Sequence, residues 1–468
     1  MEKALEQLLD QYREEMIGDL CEVLKFETTT TEGTEGAPFG QTMNNCLNFI
    51  LKRAEEMGFA CENLDGYVGI IDSGEGEESV GVLTHIDVVP AGEGWILPPY
   101  GGQISQDGYI YGRGALDDKG PMIAALYACR AIKESGLPTK RSFRQIVGTD
   151  EETAFRCMKY YLKHYPQPTM GFSPDANFPL IYIEKGIGHW EALGGFSGAK
   201  EGDIVLTALA GGSVRNMVPD GAKATFQVTE AGCNLISTLL ENFTNKEKLT
   251  IEKCEQGQLI IAAKGESAHA AIPQTGDNAV ATLLRFLQTL TYAPADACRT
   301  LNKLADLVAY DSFGQGMGVA HKEAESGELT LVGSVIKFDG ESFSLGVDTR
   351  YPIDIPTEEM KANLKAKIES IDLIFSPFDF KDSLYVPKES HLVQTLLKTY
   401  QDFTGDLKSL PLAIGGGTYA RSMKNFVAFG PEMPDDEDCI HKPNERISCD
   451  ALMLIAKICC EALYRLAQ

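Results

Sequence analysis

THIDVVPAGEGW (residues 84–95), followed by YGRGALDDKGP (111–121), decides how this chain is read. His85 and Asp87 stand at the end of VGVLT (80–84), a short apolar run suited to a strand buried on both faces. Asp117 and Asp118 stand just ahead of a helical pattern. There Met122, Ile123, Leu126, Tyr127 and Ile132 recur at helical spacing, and Gly136 supplies the stop. SFRQIVGT (142–149) predicts a second strand that runs into Glu151 and Glu152 of GTDEET (148–153). The helix expected after it has Phe155, Met158, Tyr161 and Leu162 on one face. GFSPDAN (171–177) brings Asp175, and IHKPNE (440–445) brings His441. In an open α/β sheet the ligand crevice lies at the carboxyl ends of the strands, which is where these residues fall. Two imidazoles and several carboxylates so placed are what a pair of closely spaced divalent metals needs.

A chain of 468 residues exceeds what one core usually supports, so two domains are expected. The formal charge of −25 argues against nucleic acid or an anionic membrane as partner, since both call for basic patches. The acidity reads as a solvated surface. The segment 1–20 lacks an apolar signal core. Its Leu5, Leu8, Leu9, Tyr12, Met16 and Leu20 recur at the spacing of an amphipathic surface helix. No run reaches the ~18 apolar residues of a membrane span. The 12 cysteines are scattered without a C-x-x-C pair, and only Cys459 and Cys460 are adjacent. They read as reduced thiols, and a cytoplasmic location is expected.

The first part of the chain alternates strand and helix, the mark of an α/β domain on a mostly parallel central sheet. From about Gly188 the texture changes. DIVLTALAGG, ATFQVTE, LTLVGSVIKFDGESFSLGVDTRY and the helical NAVATLLRFLQTL predict an antiparallel sheet with helices. This is an α+β domain inserted into the first, so the expected boundaries are 1–187, 188–382 and 383–468. NMVPDGAKATFQVTE and GESFSLGVDTRYPID echo each other weakly, as a duplicated subdomain would.

Zinc and manganese take imidazole nitrogen and carboxylate oxygen, and paired ions in hydrolases stand about 3.5–4 Å apart. One carboxylate can bridge them, and Asp117 is the candidate. His85 with Asp175, and Glu152 with His441, would complete the two ligand sets. Asp87 is placed to accept the other N–H of the His85 ring and fix its tautomer. Glu151 is then left free as general base toward the attacking water. An oxyanion also needs a donor, and His269 in GESAHAAIPQTGDNAV (265–280) is the best candidate.

Plainer readings stand beside these. Glu151 and Glu152 could be dipole partners at a helix start. The Asp117–Asp118 pair could be an N-cap. Cys439 could be a thiolate ligand or a packed thiol. His164, His189, His321 and His391 read as surface or packed residues. GEGEES (74–79) is too little of a dinucleotide fingerprint to count, and no phosphate loop occurs.

The ordered set of motifs resembles the M20 metallopeptidases, the aminoacylase-1/carboxypeptidase G2-like family, and within it the bacterial dipeptidases of the PepV type. The resemblance runs from THIDVVPAGEGW through YGRGALDDKGP, GTDEET, FSPDANFPLIYIEKG, SAHAAIPQTGDNA, DTRYP and AIGGGTYARSMKNFVAFGPEMP to IHKPNE. It implies a zinc-peptidase-like catalytic domain with an inserted lid and two divalent ions, zinc or manganese, with cobalt also suited. It assigns His85 and Asp175 to one ion, Glu152 and His441 to the other, Asp117 as bridge and Glu151 as base. A cis peptide between Asp117 and Asp118 is implied too. From the lid, His269 would polarise the scissile carbonyl, while Asn216 and Arg350 would reach the substrate. Gly415, Gly416 and Gly417 would offer N–H groups to the same end. An Arg there can take a C-terminal carboxylate in bidentate fashion, although Arg350 could also be a strand-end ion pair. The implied activity is hydrolysis of unblocked L-dipeptides by a monomer. The alternative within the family is an N-acyl-amino-acid deacylase or desuccinylase, which the metal ligands cannot separate from a dipeptidase. A metal-binding protein without catalysis is disfavoured by Glu151 and His269.

Overall fold

The computed structural model describes all residues except 75, 77 and 256, and the side chains of all but these and 253–255. Glu75 and Glu77 of the GEGEES run therefore lie outside the described residues. The chain forms two units. One comprises Met1–Ile183, Leu384–Leu412 and Thr418–Gln468, and the other Glu184–Ser383 with Ala413–Gly417.

The first unit is built on a mixed sheet whose centre is parallel. Ser79–His85 pairs in parallel with Ser142–Gly148 on one side and Met170–Ser173 on the other. Met170–Ser173 pairs in parallel with Phe426–Ala428. Antiparallel strands flank this centre, Val68–Ser73 and Ala60–Leu64 on one side and Ile181–Glu184 on the other. Six of the seven residues of Ser79–His85 are buried, which is why an unbroken apolar run encodes it. The helix Lys119–Ser135 follows Asp118 and ends at Gly136, whose φ of 68° is the left-handed stop that glycine favours. It packs against Lys3–Val23 and Cys449–Leu466 and is buried on nearly every side.

The helix expected after the DEE turn begins one residue late. Phe155 sits before it in the left-handed region, and Leu162 is 41% exposed rather than on the buried face of Met158 and Tyr161. The buried carboxylate of Asp150 accepts the N–H of Arg156 and pairs with its guanidinium. That capture serves the helix end, so Glu151 and Glu152 occupy a turn and not a helix start. The dipole-partner reading of the pair therefore does not apply.

The second unit is a wholly antiparallel sheet of eight strands among the described residues. In spatial order these are Leu249–Glu255, Gln258–Lys264, Gly221–Val228, Ile204–Gly211, Thr330–Phe338, Ser342–Tyr351, Gly186–Gly195 and Ile374–Lys381. The helices Glu230–Glu241, Ala279–Leu287, Ala295–Val308 and Thr357–Glu369 share a core with one face of it. The two echoing sequence segments hold Gly221–Val228 and Ser342–Tyr351. Each lies next to one of the two central strands, each in its own half of the sheet. Strand alternation turns Trp190, Ala192, Leu345 and Val347 into the core and leaves His189, Glu191, Asp348 and Arg350 on the opposite face.

Candidate metal centre and active site

The carboxyl ends of the parallel strands bring the expected donors together in the first unit. His85 ends one strand level with Gly148 of the next, and Asp175 follows a third. The ligand atoms of His85, Asp117 and Asp175 lie within 4.8 Å of one another, as do those of Asp117, Glu152 and His441. Asp117 is common to both groups. Its Oδ1 is 3.0 Å from His85 Nε2, and its Oδ2 is 2.9 Å from His441 Nε2. Asp175 Oδ1 is 3.6 Å from His85 Nε2, and Glu152 Oε1 is 3.1 Å from His441 Nε2. The peptide between Asp117 and Asp118 is cis, and His441 holds a left-handed backbone, φ 59°. A non-glycine residue kept in that region is the kind of local cost found at functional sites.

The donor set fits cations. His85 Nδ1 faces the Asp87 carbonyl at 3.0 Å, and a carbonyl can only accept, so Nδ1 carries the proton. Nε2 then presents a lone pair. Nε2 and Asp117 Oδ1 are both buried and lack a hydrogen-bond partner among the described residues. A lone pair and a carboxylate oxygen 3.0 Å apart call for positive charge beside them. The titration behaviour of the cluster carries the same demand. Burial, with the Asp117 and Glu152 charges, pushes the Asp175 carboxyl up to about 7. Burial and the Asp175 charge raise Glu151 well above the carboxylate range. Burial raises Glu152 against the hydrogen bond from His441. Burial would lower His85, but without an ion between them Asp175, Asp117 and Asp87 would draw a second proton to it. Hydrogen bonds to Asp117 and Glu152 lift His441 to about 10. Burial would raise Asp117 too, yet the two imidazoles hold it low. Two imidazoles cannot balance this many closely packed carboxylates, and divalent ions can.

The surroundings of the donors differ from the expectation at Asp87. Its carboxylate oxygens accept the N–H groups of Glu151 and Glu152, at 3.0 and 2.9 Å, and one of them stands 3.4 Å from His85 Nδ1. The ring nitrogen is closer to the Asp87 carbonyl because the side chain is drawn to two converging backbone donors. Asp87 thus ties the His85 strand to the turn that carries Glu151. Asp118 precedes the helix, but its Oδ2 accepts the His85 N–H at 3.0 Å instead of capping it. Tyr419 stands edge-on to the His85 ring and meets Cys157 through its hydroxyl. Gly148 leaves room for it, since a Cβ there would lie 1.8 Å from that hydroxyl. Cys439 contacts the Arg446 carbonyl through sulfur and joins neither donor group.

Two residues inside the quoted motifs were given no role by sequence reasoning. Glu445, fully buried, accepts the N–H groups of Gly114, Leu116 and Asp117 on one oxygen, at 3.0, 2.9 and 3.1 Å. Its other oxygen pairs with buried Arg113 at 2.6 Å. Only the proximity of Glu445 to His441 in IHKPNE could have hinted at this cradle for the Asp117 loop. Glu445→Gln is expected to weaken divalent-metal affinity by about 10–100-fold. Leaving Arg113 unpaired should also lower stability by about 3–5 kcal/mol. Metal titration of the stripped protein and urea unfolding check both.

The second unit holds the remaining candidates. The Ala271 N–H donates to His269 Nδ1 at 3.1 Å, so the ring proton resides on Nε2, the nitrogen that could donate to an oxyanion. Burial and the Arg350 charge lower the His269 pKa against Asp348, which keeps the ring neutral. Met217 bridges His269, and the Ala270 N–H donates to the Asn216 carbonyl at 2.8 Å. A Cβ on Gly415 would lie 2.6 Å from the Ala271 Cβ, so the glycine loop sits tight against the His269 segment. Arg350 Nη1 donates to the Gly415 carbonyl at 2.9 Å, and the ion pair with Asp348 weighed as the plain reading is present.

A sheet with a parallel centre carries this imidazole–carboxylate set at its strand ends, and an antiparallel α+β unit interrupts it in the sequence. The chain belongs to peptidase family M20/M25/M40, whose model matches residues 81–465. It is 39% identical over 466 residues to a Bacillus subtilis (strain 168) protein named "Putative dipeptidase YtjP", covering 97% of this chain and 98% of the relative. Its fold is shared with aminoacylhistidine dipeptidase of Vibrio alginolyticus, at TM-score 0.59 and 13% identity over 96% of both chains. It is shared likewise with human carnosine dipeptidase 1, at TM-score 0.56 and 14% identity over 100% of both. Among the described residues no helix is long and apolar enough to cross a membrane.

Proposed function

We propose that this peptidase is a cytoplasmic, monomeric dipeptidase that hydrolyses unblocked L-dipeptides with the help of two divalent ions, zinc or manganese. The observation that carries the reading is the pair of donor groups sharing Asp117, with the Glu151 carboxylate beside them and in neither. His85 and Asp175 would hold one ion, Glu152 and His441 the other, and Asp117 both. Such ions supply Lewis acidity toward the scissile carbonyl and make water a better nucleophile near neutral pH. Glu151 takes the proton of the attacking water and returns it to the leaving amine. His269 donates through Nε2–H to the oxygen that gains charge, which its Ala271 contact supports. Arg350 receives the substrate's C-terminal carboxylate, with Asn216 and the Gly415–Gly417 loop beside it. The 39% identical relative named as a dipeptidase supports the choice of substrate.

The test is amino-acid release from Ala-Xaa dipeptides, β-Ala-His, one tripeptide and one N-acetyl amino acid. Each is run on chelator-stripped enzyme with zinc or manganese restored. Metal-dependent cleavage confined to free dipeptides is expected. Turnover of the N-acetyl substrate alone would move the enzyme to the deacylases with its metal ligands unchanged. For Arg350→Ala, KM for free dipeptides should rise by about 10-fold or more while kcat changes little. An equal rise for C-terminally amidated peptides would remove Arg350 from carboxylate binding.

A further inference from the structure

His189 is not the ordinary packed histidine its sequence context predicts. It pairs across the strands with Asp348, and its Nε2 is 3.0 Å from Asp348 Oδ2. Its Nδ1 stands 3.5 Å from Asp379 Oδ2, and its ring stacks on Phe378. Asp348 is fully buried and grips Arg350 along one edge, Oδ1 to Nε at 2.7 Å and Oδ2 to Nη2 at 2.6 Å.

A guanidinium has five N–H groups. Two are taken by Asp348, and one on Nη1 is taken by the Gly415 carbonyl. Among the described residues no acceptor meets the other N–H of Nη1 or that of Nη2. One N–H thus remains on each of Nη1 and Nη2, and neighbouring Nη1 and Nη2 donors can take both oxygens of a carboxylate.

We propose that Asp348, seconded by His189, is a positioning residue that presents the Nη1–Nη2 end of Arg350 to the substrate's C-terminal carboxylate. The inference rests on the reading of Arg350 given above. A free arginine must give up side-chain freedom to bind, whereas one held on two sides has already done so. Asp348 also neutralises Arg350, which taken alone would weaken the attraction for an anion. His189 offsets this. Burial pulls its pKa down, but hydrogen bonds to Asp348 and Asp379 raise it, which favours a second positive charge behind the fork. The sign of the effect therefore separates positioning from simple charge neutralisation.

The experiment compares Asp348→Asn, Arg350→Ala and the double variant in the metal-loaded enzyme, on a free dipeptide and on its C-terminal amide. Circular dichroism and thermal unfolding establish that each variant is folded. Asp348→Asn is expected to raise KM for the free dipeptide by about 10-fold, with kcat within about 3-fold and KM for the amide unchanged. On the Arg350→Ala background it should add less than about 2-fold, because the residue it positions is gone. If Arg350→Ala raises KM selectively while Asp348→Asn leaves KM unchanged or lowers it, the positioning role is overturned and the Arg350 reading survives. If Arg350→Ala affects both substrates alike, the Arg350 reading fails and takes the inference with it. Should Asp348→Asn not fold, His189→Phe keeps the stack on Phe378 and deletes the contact with Asp348. It should raise KM for the free dipeptide alone by about 3-fold, and an unchanged KM would overturn the proposal.

Discussion

Replacing Glu151 by alanine is expected to leave bound metal unchanged and to lower kcat by about 10²–10⁴-fold, the usual contribution of a positioned general base. The side chain belongs to neither donor group, so its removal costs no ligand. The main chain at that point is held independently, by the bond from the Glu151 N–H to Asp87. Loss of turnover therefore cannot be charged to a displaced turn. Its neighbour supplies the contrast. Glu152→Ala removes a partner of His441 and should lower metal content along with activity. Metal analysis of both variants after dialysis, beside steady-state rates, separates the two roles. A Glu151→Ala enzyme that keeps turning over would remove it as base, and one that loses metal would make it a ligand.

The second large effect is expected at Asp117. Its two oxygens face different imidazoles, at 3.0 and 2.9 Å, so one substitution takes a donor from both groups. Asp117→Ala should lower affinity for both ions together, whereas Asp175→Ala and Glu152→Ala should each weaken one. Activity at micromolar metal should fall below detection. Metal binding also stabilises the folded state, by about 4 kcal/mol when free metal is 1,000 times the dissociation constant. Chelator should thus lower the melting temperature of the parent enzyme and leave that of Asp117→Ala nearly unchanged. The backbone of Asp117 stays anchored through its N–H to Glu445, which argues that the variant folds. A variant that still binds one ion with parental affinity would show that Asp117 serves a single group.

Much of this protein is legible without coordinates because strand and helix periodicities are set by near neighbours. VGVLTH reads as a buried strand from its own composition, and Gly136 ends a helix because few other residues take φ 68° cheaply. The rule that crevices form at strand ends then nominates His85, Glu151, Glu152 and Asp175. The alternation of strand and helix likewise points to an α/β sheet, and the later change of texture to an antiparallel unit that interrupts it.

Partnership among buried charges is a different matter. His441 meets Glu152 across 289 residues of sequence, and Glu445 holds the Asp117 loop from 328 residues away. No local pattern encodes those pairs, because a buried charge takes as partner whatever packing brings within reach before the cost of desolvation is met. The same holds for the Asp87 carboxylate, drawn to the Glu151 and Glu152 N–H groups as well as to the imidazole two residues away. It holds again for His189, which reads as a surface or packed histidine until strand register sets it opposite Asp348. Sequence alone determined which residues could do chemistry and on which elements they stand. Tertiary structure decided which of them face one another, since only the packed chain removes water from between them.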